Sequence, residues 1–140
     1  MITDNLLNSG EWRQVLSEED WTALDDLIKG GDDGVIKDLH WSNQVFVDSD
    51  RRMVFDGEPY VGILVQLQNG PVSSVELILT GVREIRLDTT HDLVMRVDVR
   101  LELITLWLSG EGRSRIVGRE FFYRLPAKAI LGADRFDISI

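Results

Sequence analysis

The chain has 140 residues, of which 44% are hydrophobic and 28% are charged, so it can fill one sizeable core and is predicted to form a single domain over residues 1–140. The absence of cysteine excludes disulfides, thiolate metal sites and cysteine nucleophiles. No apolar run reaches the roughly 18 to 20 residues that span a bilayer. The N-terminal sequence MITDNLLNSGEW lacks the basic and apolar regions of a secretion signal, so we expect a soluble, cytoplasmic protein.

The net charge of −9 is concentrated in the first part of the chain. Residues 1–60 hold 14 Asp or Glu against 5 Lys or Arg, whereas residues 61–140 hold 10 of each kind. An acidic surface repels phosphate backbones and anionic lipids and attracts basic proteins. We therefore expect a basic protein partner and neither nucleic acid nor membrane. The alternative is that the charge serves only to keep the protein soluble.

Two short helices are predicted at the start of the chain. From Ser9 to Lys29 the apolar residues recur at three- and four-residue steps, which is helical spacing. Ser9 and Ser17 are suitable N-caps, and three acidic residues follow the second of them, where they favour the helix dipole. Gly30 comes directly after Lys29 and suits a helix end. Residues 1–31 are therefore predicted as a helical lead-in.

From residue 34 to residue 140 the pattern is that of β-strands. Alternating apolar and polar residues fill short segments that turn residues separate. Residues 94–108 are predicted as one long strand, residues 115–125 as the strand that returns beside it, and residues 135–140 as a last edge strand. The predicted fold class is α+β, with two short N-terminal helices on a twisted, mainly antiparallel sheet of about seven or eight strands, rolled into a half-barrel or a sandwich.

The segment VFVDSDRRMVFDGE, residues 45–58, spaces Asp48, Asp50 and Asp56 like part of a calcium-binding loop. The other positions fail, because arginine, methionine and proline stand where a ligand, a glycine and a bidentate carboxylate belong. We interpret residues 48–52 as a hairpin tip whose carboxylates accept local backbone hydrogen bonds. No metal and no other cofactor is predicted.

General acid–base catalysis has few candidate residues, because the chain has two histidines. His40 follows Asp38 by two residues on the same face of a predicted strand, so that the carboxylate could orient the ring. His91 lies in a predicted turn, and no G-x-S-x-G nucleophile elbow supports a Ser-His-Asp triad. We predict a protein that is not an enzyme. The alternative is a small-molecule-binding or hydrolytic domain with a pocket near Asp38, His40 and Trp41.

The acidic residues of the first part of the chain supply the predicted partner surface. If residues 35–47 form one strand, a hairpin brings the loop at Asp32–Asp33 and the loop at Asp56–Glu58 to the same end of the sheet. Together with acids on the outer helix face, these loops would form one patch suited to a basic protein. The alternative is an ordinary solvated face. The predicted contact residues are Glu18, Glu19, Asp25, Asp26, Asp32, Asp33, Asp56 and Glu58.

The chain also resembles a known group of proteins in the order of its segments. A helical lead-in is followed by DLHW at residues 38–41, by VDSDRRMVF at residues 47–55 as a hairpin, and by VELILTGVREIRL at residues 75–87 as a strand pair. This layout resembles the bacterial immunity proteins of polymorphic-toxin systems and the uncharacterised bacterial families near them, over roughly residues 10–108.

The resemblance implies a protein that binds and blocks a cognate toxin, often a basic nuclease, without catalysing a reaction. Such binding would use acidic loops and exposed aromatic side chains. The resemblance assigns no binding residue. A homodimer through the predicted long strand at residues 94–108 is a further alternative.

Overall fold

The computed structural model describes residues 12–88, 93–109, 113–126, 128 and 130–132. This part of the chain forms one α-helix, one short 3₁₀ turn and eleven β-strands. The elements are β1 (Arg13–Gln14), α1 (Glu18–Ile28), the 3₁₀ turn (Lys29–Gly31), β2 (Gly34–Ser42), β3 (Val45–Val47), β4 (Met53–Phe55), β5 (Tyr60–Leu67), β6 (Ser74–Thr80), β7 (Glu84–Arg86), β8 (Arg96–Arg100), β9 (Leu103–Trp107), β10 (Arg115–Gly118) and β11 (Glu120–Arg124).

Helix α1 confirms the second predicted helix, including both of its ends. The Ser17 hydroxyl accepts a hydrogen bond from the backbone N–H of Asp20 at 3.2 Å, which satisfies one free donor of the first turn. At the other end Lys29 adopts the left-handed conformation and its N–H donates to the carbonyl of Asp25. The helix packs on the core through side chains at three- and four-residue steps, namely Trp21, Leu24 and Ile28.

The first predicted helix is wrong over the residues that the structure describes. Strand β1 pairs with β11 in antiparallel register, and the backbone N–H of Val15 donates to the carbonyl of Phe121 at 2.8 Å. The edge of the large sheet thus satisfies backbone groups that a helix would have satisfied internally. Ser9, the predicted cap of that helix, lies outside the described residues.

The strands form three separate antiparallel sheets, so the predicted single sheet of seven or eight strands is wrong. The large sheet has the order β1-β11-β6-β5-β2, and the small sheet has the order β7-β10-β9-β8. Among the described strands, β3 and β4 pair only with each other; residues 45–55, which they bound, are called the arm below. Over the described strands neither larger sheet is closed, since each strand order has two ends.

Two breaks divide strands that the alternation pattern had joined. Glu102 has φ of 59°, and Leu101–Glu102 form a tight turn that folds β8 back on β9 as a hairpin. The predicted long strand at residues 94–108 is therefore wrong, whereas the homodimer alternative stays a prediction. Arg119 separates β10 from β11, which lie in different sheets, and its N–H donates to the carbonyl of Thr80 at 2.8 Å. The predicted strand 115–125 is therefore two strands.

One hydrophobic core joins the two larger sheets and the helix. The inner faces of β5, β6 and β11 meet those of β8, β9 and β10, and α1 contributes its apolar side. The largest fully buried side chains of this core include Leu24, Ile28, Leu77, Leu106, Ile116 and Phe121. Within the described residues no helix is long and apolar enough to cross a membrane.

Candidate functional site

The arm exposes apolar side chains to solvent. Its strands pair Val45 with Phe55, Phe46 with Val54 and Val47 with Met53. Since successive strand residues point to opposite faces, both faces of the arm are apolar. The exposed fraction is 77% for Phe55, 59% for Met53, 56% for Val47 and 44% for Phe46. The sequence predicted the hairpin here but not its separation from the other strands.

The tip of the arm confirms the predicted turn. One carboxylate oxygen of Asp48 accepts hydrogen bonds from the backbone N–H groups of Asp50 at 2.9 Å and Arg52 at 3.0 Å. The N–H of Arg51 donates to the carbonyl of Asp48, and Arg51 has a positive φ of 66°. The Asp48 carboxylate thus organises a tight turn. Among the residues described, no group of three or more His, Asp or Glu is placed to hold a metal ion.

The two acidic loops lie at opposite ends of the large sheet, so the predicted proximity between them is wrong. Gly34, next to the loop at Asp32–Asp33, pairs with Leu67, whereas Ser42 pairs with Tyr60, next to the loop at Asp56–Glu58. Strand β2 separates the loops by about 25 Å. The reason is that the chain leaves the large sheet after β2 to form the arm, and returns to the sheet only at β5.

Both loops are tied to the body of the protein. The Asp33 carboxylate accepts from the side-chain amide of Asn69 at 2.8 Å. The Glu58 carboxylate accepts from the guanidinium of Arg119 at 2.7 Å, in an ion pair that is about half exposed. Asp32 and Asp56 are exposed. The loops are therefore two fixed acidic sites rather than one patch.

The acidic residues of helix α1 also fall into two separate groups, one at each end of the helix. Glu18, at the start of the helix, accepts a hydrogen bond from the N–H of Val99 at 3.3 Å, and Glu19 beside it is exposed. Asp25 and Asp26 lie in the last turn, where no basic residue is present and where the helix dipole disfavours negative charge. This last turn leads directly to the loop at residues 32–33, so four acids gather at the C-terminal end of the helix.

A pocket of about 350 Å³ lies on the face of the large sheet that is turned away from the core. Cross-strand pairing places Asp38, Leu64, Glu76 and Arg124 in one row across four strands. The neighbouring row begins with His40 and continues over Gly62. The pocket is lined chiefly by Trp12, Asp38, His40, Tyr60, Glu76 and Arg124.

One wall of the pocket is a fixed set of contacts. The guanidinium of Arg124 donates through one nitrogen to both carboxylate oxygens of Glu76 at 3.0 Å. The same guanidinium lies over the ring of Trp12, with 4.7 Å to the ring centre. The Glu76 side chain is only 9% exposed and that of Arg124 is 25% exposed. Their charges are therefore paired with each other inside the protein.

Beyond the Glu76–Arg124 pair, two polar atoms of the pocket residues are buried and have no hydrogen-bond partner among the described residues. They are one carboxylate oxygen of Asp38 and the indole nitrogen of Trp12. Gly62 leaves open space in the row next to Asp38, since a Cβ atom at this position would meet nothing within 4 Å. Two residues that line the pocket thus each have a buried polar atom unpaired within the described part of the chain, and the pocket has room for another group.

The sequence located this pocket only in part. Asp38 and His40 line it as predicted, but Trp41 does not, because adjacent strand residues point to opposite faces of β2. His40 is exposed. Sequence reasoning missed Trp12, which was assigned to a helix, and the pair Glu76–Arg124. A carboxylate inside the apolar strand VELIL was the available signal for Glu76. His91 lies outside the described residues.

No protein-family model matches the chain, and neither a curated protein nor a solved structure is significantly similar to it. The arm, the acidic loops and the pocket are therefore the features from which a function can be proposed. Of these, the arm and the loops face solvent, and the pocket is recessed in the large sheet.

Proposed function

We propose that this protein is a non-enzymatic binding module that docks a basic protein partner on the arm. The observation that carries the proposal is the exposure of Phe55, Met53 and Val47 on one face of a strand pair that no other described strand joins. Apolar patches of this kind on a soluble surface are often interaction sites. Covering such a side chain contributes about 1.5 to 3 kcal/mol for each residue that becomes fully buried.

The size of the arm fits part of a specific interface. The exposed portions of its large apolar side chains amount to an area on the order of 400 Å². A standard interface buries about 800 Å² on each partner. The arm can therefore supply the apolar centre, while the polar surroundings at its base supply the rim.

The basic character of the partner follows from charge. The net charge of −9 creates a negative field that steers a positively charged protein toward this one and speeds association at low salt. The arm tip itself is balanced, because Asp48 and Asp50 stand beside Arg51 and Arg52. The overall field therefore governs the encounter, and the apolar arm governs the strength of the complex.

A bacterial immunity protein that binds and blocks a basic toxin in the cytoplasm needs a negative field that attracts the toxin and an exposed surface that binds it. The resemblance of residues 10–108 to such proteins, taken with the exposed arm, supports this specific role. Blocking a toxin needs a tight complex and no chemistry by the blocking chain. The exposed apolar arm of the free protein is compatible with this role, because the partner covers the arm in the complex.

The test compares an arm variant with a matched surface variant. Met53→Ser/Phe55→Ser removes the two most exposed apolar side chains of the arm, and Leu101→Ser removes one that is 95% exposed at the turn of the small sheet. Wild type and both variants, used as baits on extract from the source cells, identify a partner, whose affinity is then measured by calorimetry at low and high salt.

We expect the wild type and the Leu101 variant to bind one basic protein, and the arm variant to lose at least about tenfold in affinity. Equal binding by the arm variant contradicts the proposal. Sedimentation of the isolated chain tests whether a second copy of the chain occupies the arm. A dimer that the arm variant abolishes would assign the arm to self-association instead.

A further inference from the structure

We propose that the pocket on the outer face of the large sheet binds an organic cation, an ammonium or guanidinium group, whose ion partner is Asp38. The inference is independent of the arm, because the pocket residues belong to β2, β5, β6 and β11 and to Trp12. It names a second binding site with a defined ligand chemistry. The ligand also carries a hydrogen-bond acceptor for the indole of Trp12.

The need for a donor at Asp38 comes from its buried oxygen. Asp38 lies on β2 opposite Leu64, and one of its carboxylate oxygens is shielded from solvent and has no hydrogen-bond partner among the residues that the structure describes. Buried polar atoms are nearly always paired in folded proteins, so each exception calls for a group that completes it. An N–H of a cation is the strongest such donor for a carboxylate.

The sign of the ligand charge follows from the other charged residues of the pocket. Arg124 is already held by both oxygens of Glu76 and by the ring of Trp12, so its charge is balanced where it lies. Asp38 has no ion pair with any described residue. The pocket therefore keeps one uncompensated negative charge, which favours a cation and disfavours an anion.

The indole of Trp12 sets the second requirement. Its N–H is buried and meets no acceptor in the described part of the chain, although the ring contacts Arg124. An indole nitrogen can only donate, so its partner must be a carbonyl, hydroxyl or similar oxygen. A ligand that satisfies both ends has a cationic group at Asp38 and an oxygen directed toward Trp12.

The pocket has space for such a ligand. Its volume of about 350 Å³ lies at the lower end of the range for small-molecule sites. Gly62 holds the space open in the row next to Asp38, and the buried side chains of Leu64 and Ile78 provide an apolar floor. His40 and Tyr60 stand at the more exposed side of the pocket. A compact amine or a single basic side chain fits these limits.

Two sources supply this chemistry, and the experiment separates them. Tyramine represents a free amine with a hydroxyl acceptor, and Nα-acetyl-arginine amide represents the side chain of a basic protein. The anion 4-hydroxyphenylacetate has a similar ring and the opposite charge. Each probe is titrated into the labelled full chain, and the indole N–H signal of Trp12 is followed by nuclear magnetic resonance. Trp12→Phe identifies that signal by removing it.

We expect at least one cation to shift the Trp12 signal to saturation, while the anion produces no saturating shift. Tighter binding of tyramine assigns the site to free amines, and tighter binding of the arginine derivative assigns it to a protein side chain. Asp38→Asn should weaken cation binding by about tenfold or more, because it removes a charge-assisted hydrogen bond. Asp26→Asn, an exposed acid on α1, is the matched control and should leave binding unchanged.

Gly62→Val provides a second variant that does not alter charge. Its side chain would enter open space, so the fold should persist while the pocket is filled. Loss of cation binding in this variant supports the site. The proposal is overturned if neither cation shifts the Trp12 signal, or if Gly62→Val and Asp38→Asn both bind the cation as tightly as the wild type. The variant Met53→Ser/Phe55→Ser should bind the cation normally, which separates this site from the proposed partner surface.

Discussion

The arm and the pocket depart in opposite ways from the usual pattern, in which large apolar groups are buried and buried polar groups are paired. The arm leaves large apolar side chains in water, with Phe55 77% exposed, whereas the pocket residues bury one oxygen of Asp38 and the indole nitrogen of Trp12 with no partner among the described residues. Each arrangement is unfavourable in the isolated chain, and each becomes favourable when a suitable group covers it. The comparison indicates that the arm suits a broad apolar contact and that the pocket suits one charged group.

The largest expected difference in the free energy of unfolding is between a substitution in the core and one in the arm. Phe121→Ala removes a fully buried ring from the core and should lower the free energy of unfolding by about 3 to 5 kcal/mol. Phe55→Ala should change it by less than about 0.5 kcal/mol, because the ring is mostly in solvent. Urea denaturation measures both. A large loss for Phe55→Ala would show that the arm stabilises the fold, which would remove the main reason to regard it as a binding surface.

An intermediate effect is expected at the wall of the pocket. Glu76→Ala leaves the mostly buried guanidinium of Arg124 without its carboxylate partner and should cost about 3 kcal/mol of stability. The matched variant Glu58→Ala breaks an ion pair that is about half exposed and should cost less than about 1 kcal/mol. Thermal and urea unfolding of the two variants give the comparison. Equal losses would mean that the Glu76 pair does not hold the pocket wall.

The smallest expected effect concerns the acids at the end of helix α1. Asp26→Lys replaces an exposed negative charge in the last turn by a positive one and should raise stability by about 0.5 kcal/mol, because a cation there favours the helix dipole. The same change should slow association with a basic partner, most clearly at low salt. Denaturation and stopped-flow association measure the two quantities. Faster association in the variant would contradict electrostatic steering by this acidic surface.

Local signals were enough to predict several elements. Ser17, the acids after it and Lys29–Gly30 marked both ends of α1, because caps act within a few residues along the chain. The turn at Asp48 was predictable for the same reason, since its hydrogen bonds join residues two and four positions apart. Asp38 and His40 were correctly placed on the same face of β2, because residues two apart in a strand share a face.

Other features had no local signal of sufficient strength. The turn at Leu101–Glu102 contains neither glycine nor proline, so the apolar residues on both sides were joined into one strand. Strand β1 has two residues and exists only because the edge of β11 accepts it. The pocket joins Trp12 to Arg124 and Glu76 to Arg124 across distant segments, and no spacing in the sequence encodes those contacts.

The sequence by itself determined the helix ends, the hairpin tip, the alternation of faces within each strand and the negative charge. Tertiary structure alone decided how the strands divide among three sheets, that the arm stands apart from the others, and that the acidic loops lie at opposite ends of β2. The physical reason is that a two-residue period specifies which side chains share a face but not which strand lies beside them. Adjacency is set by packing of the whole core, and adjacency is what creates both the exposed arm and the pocket.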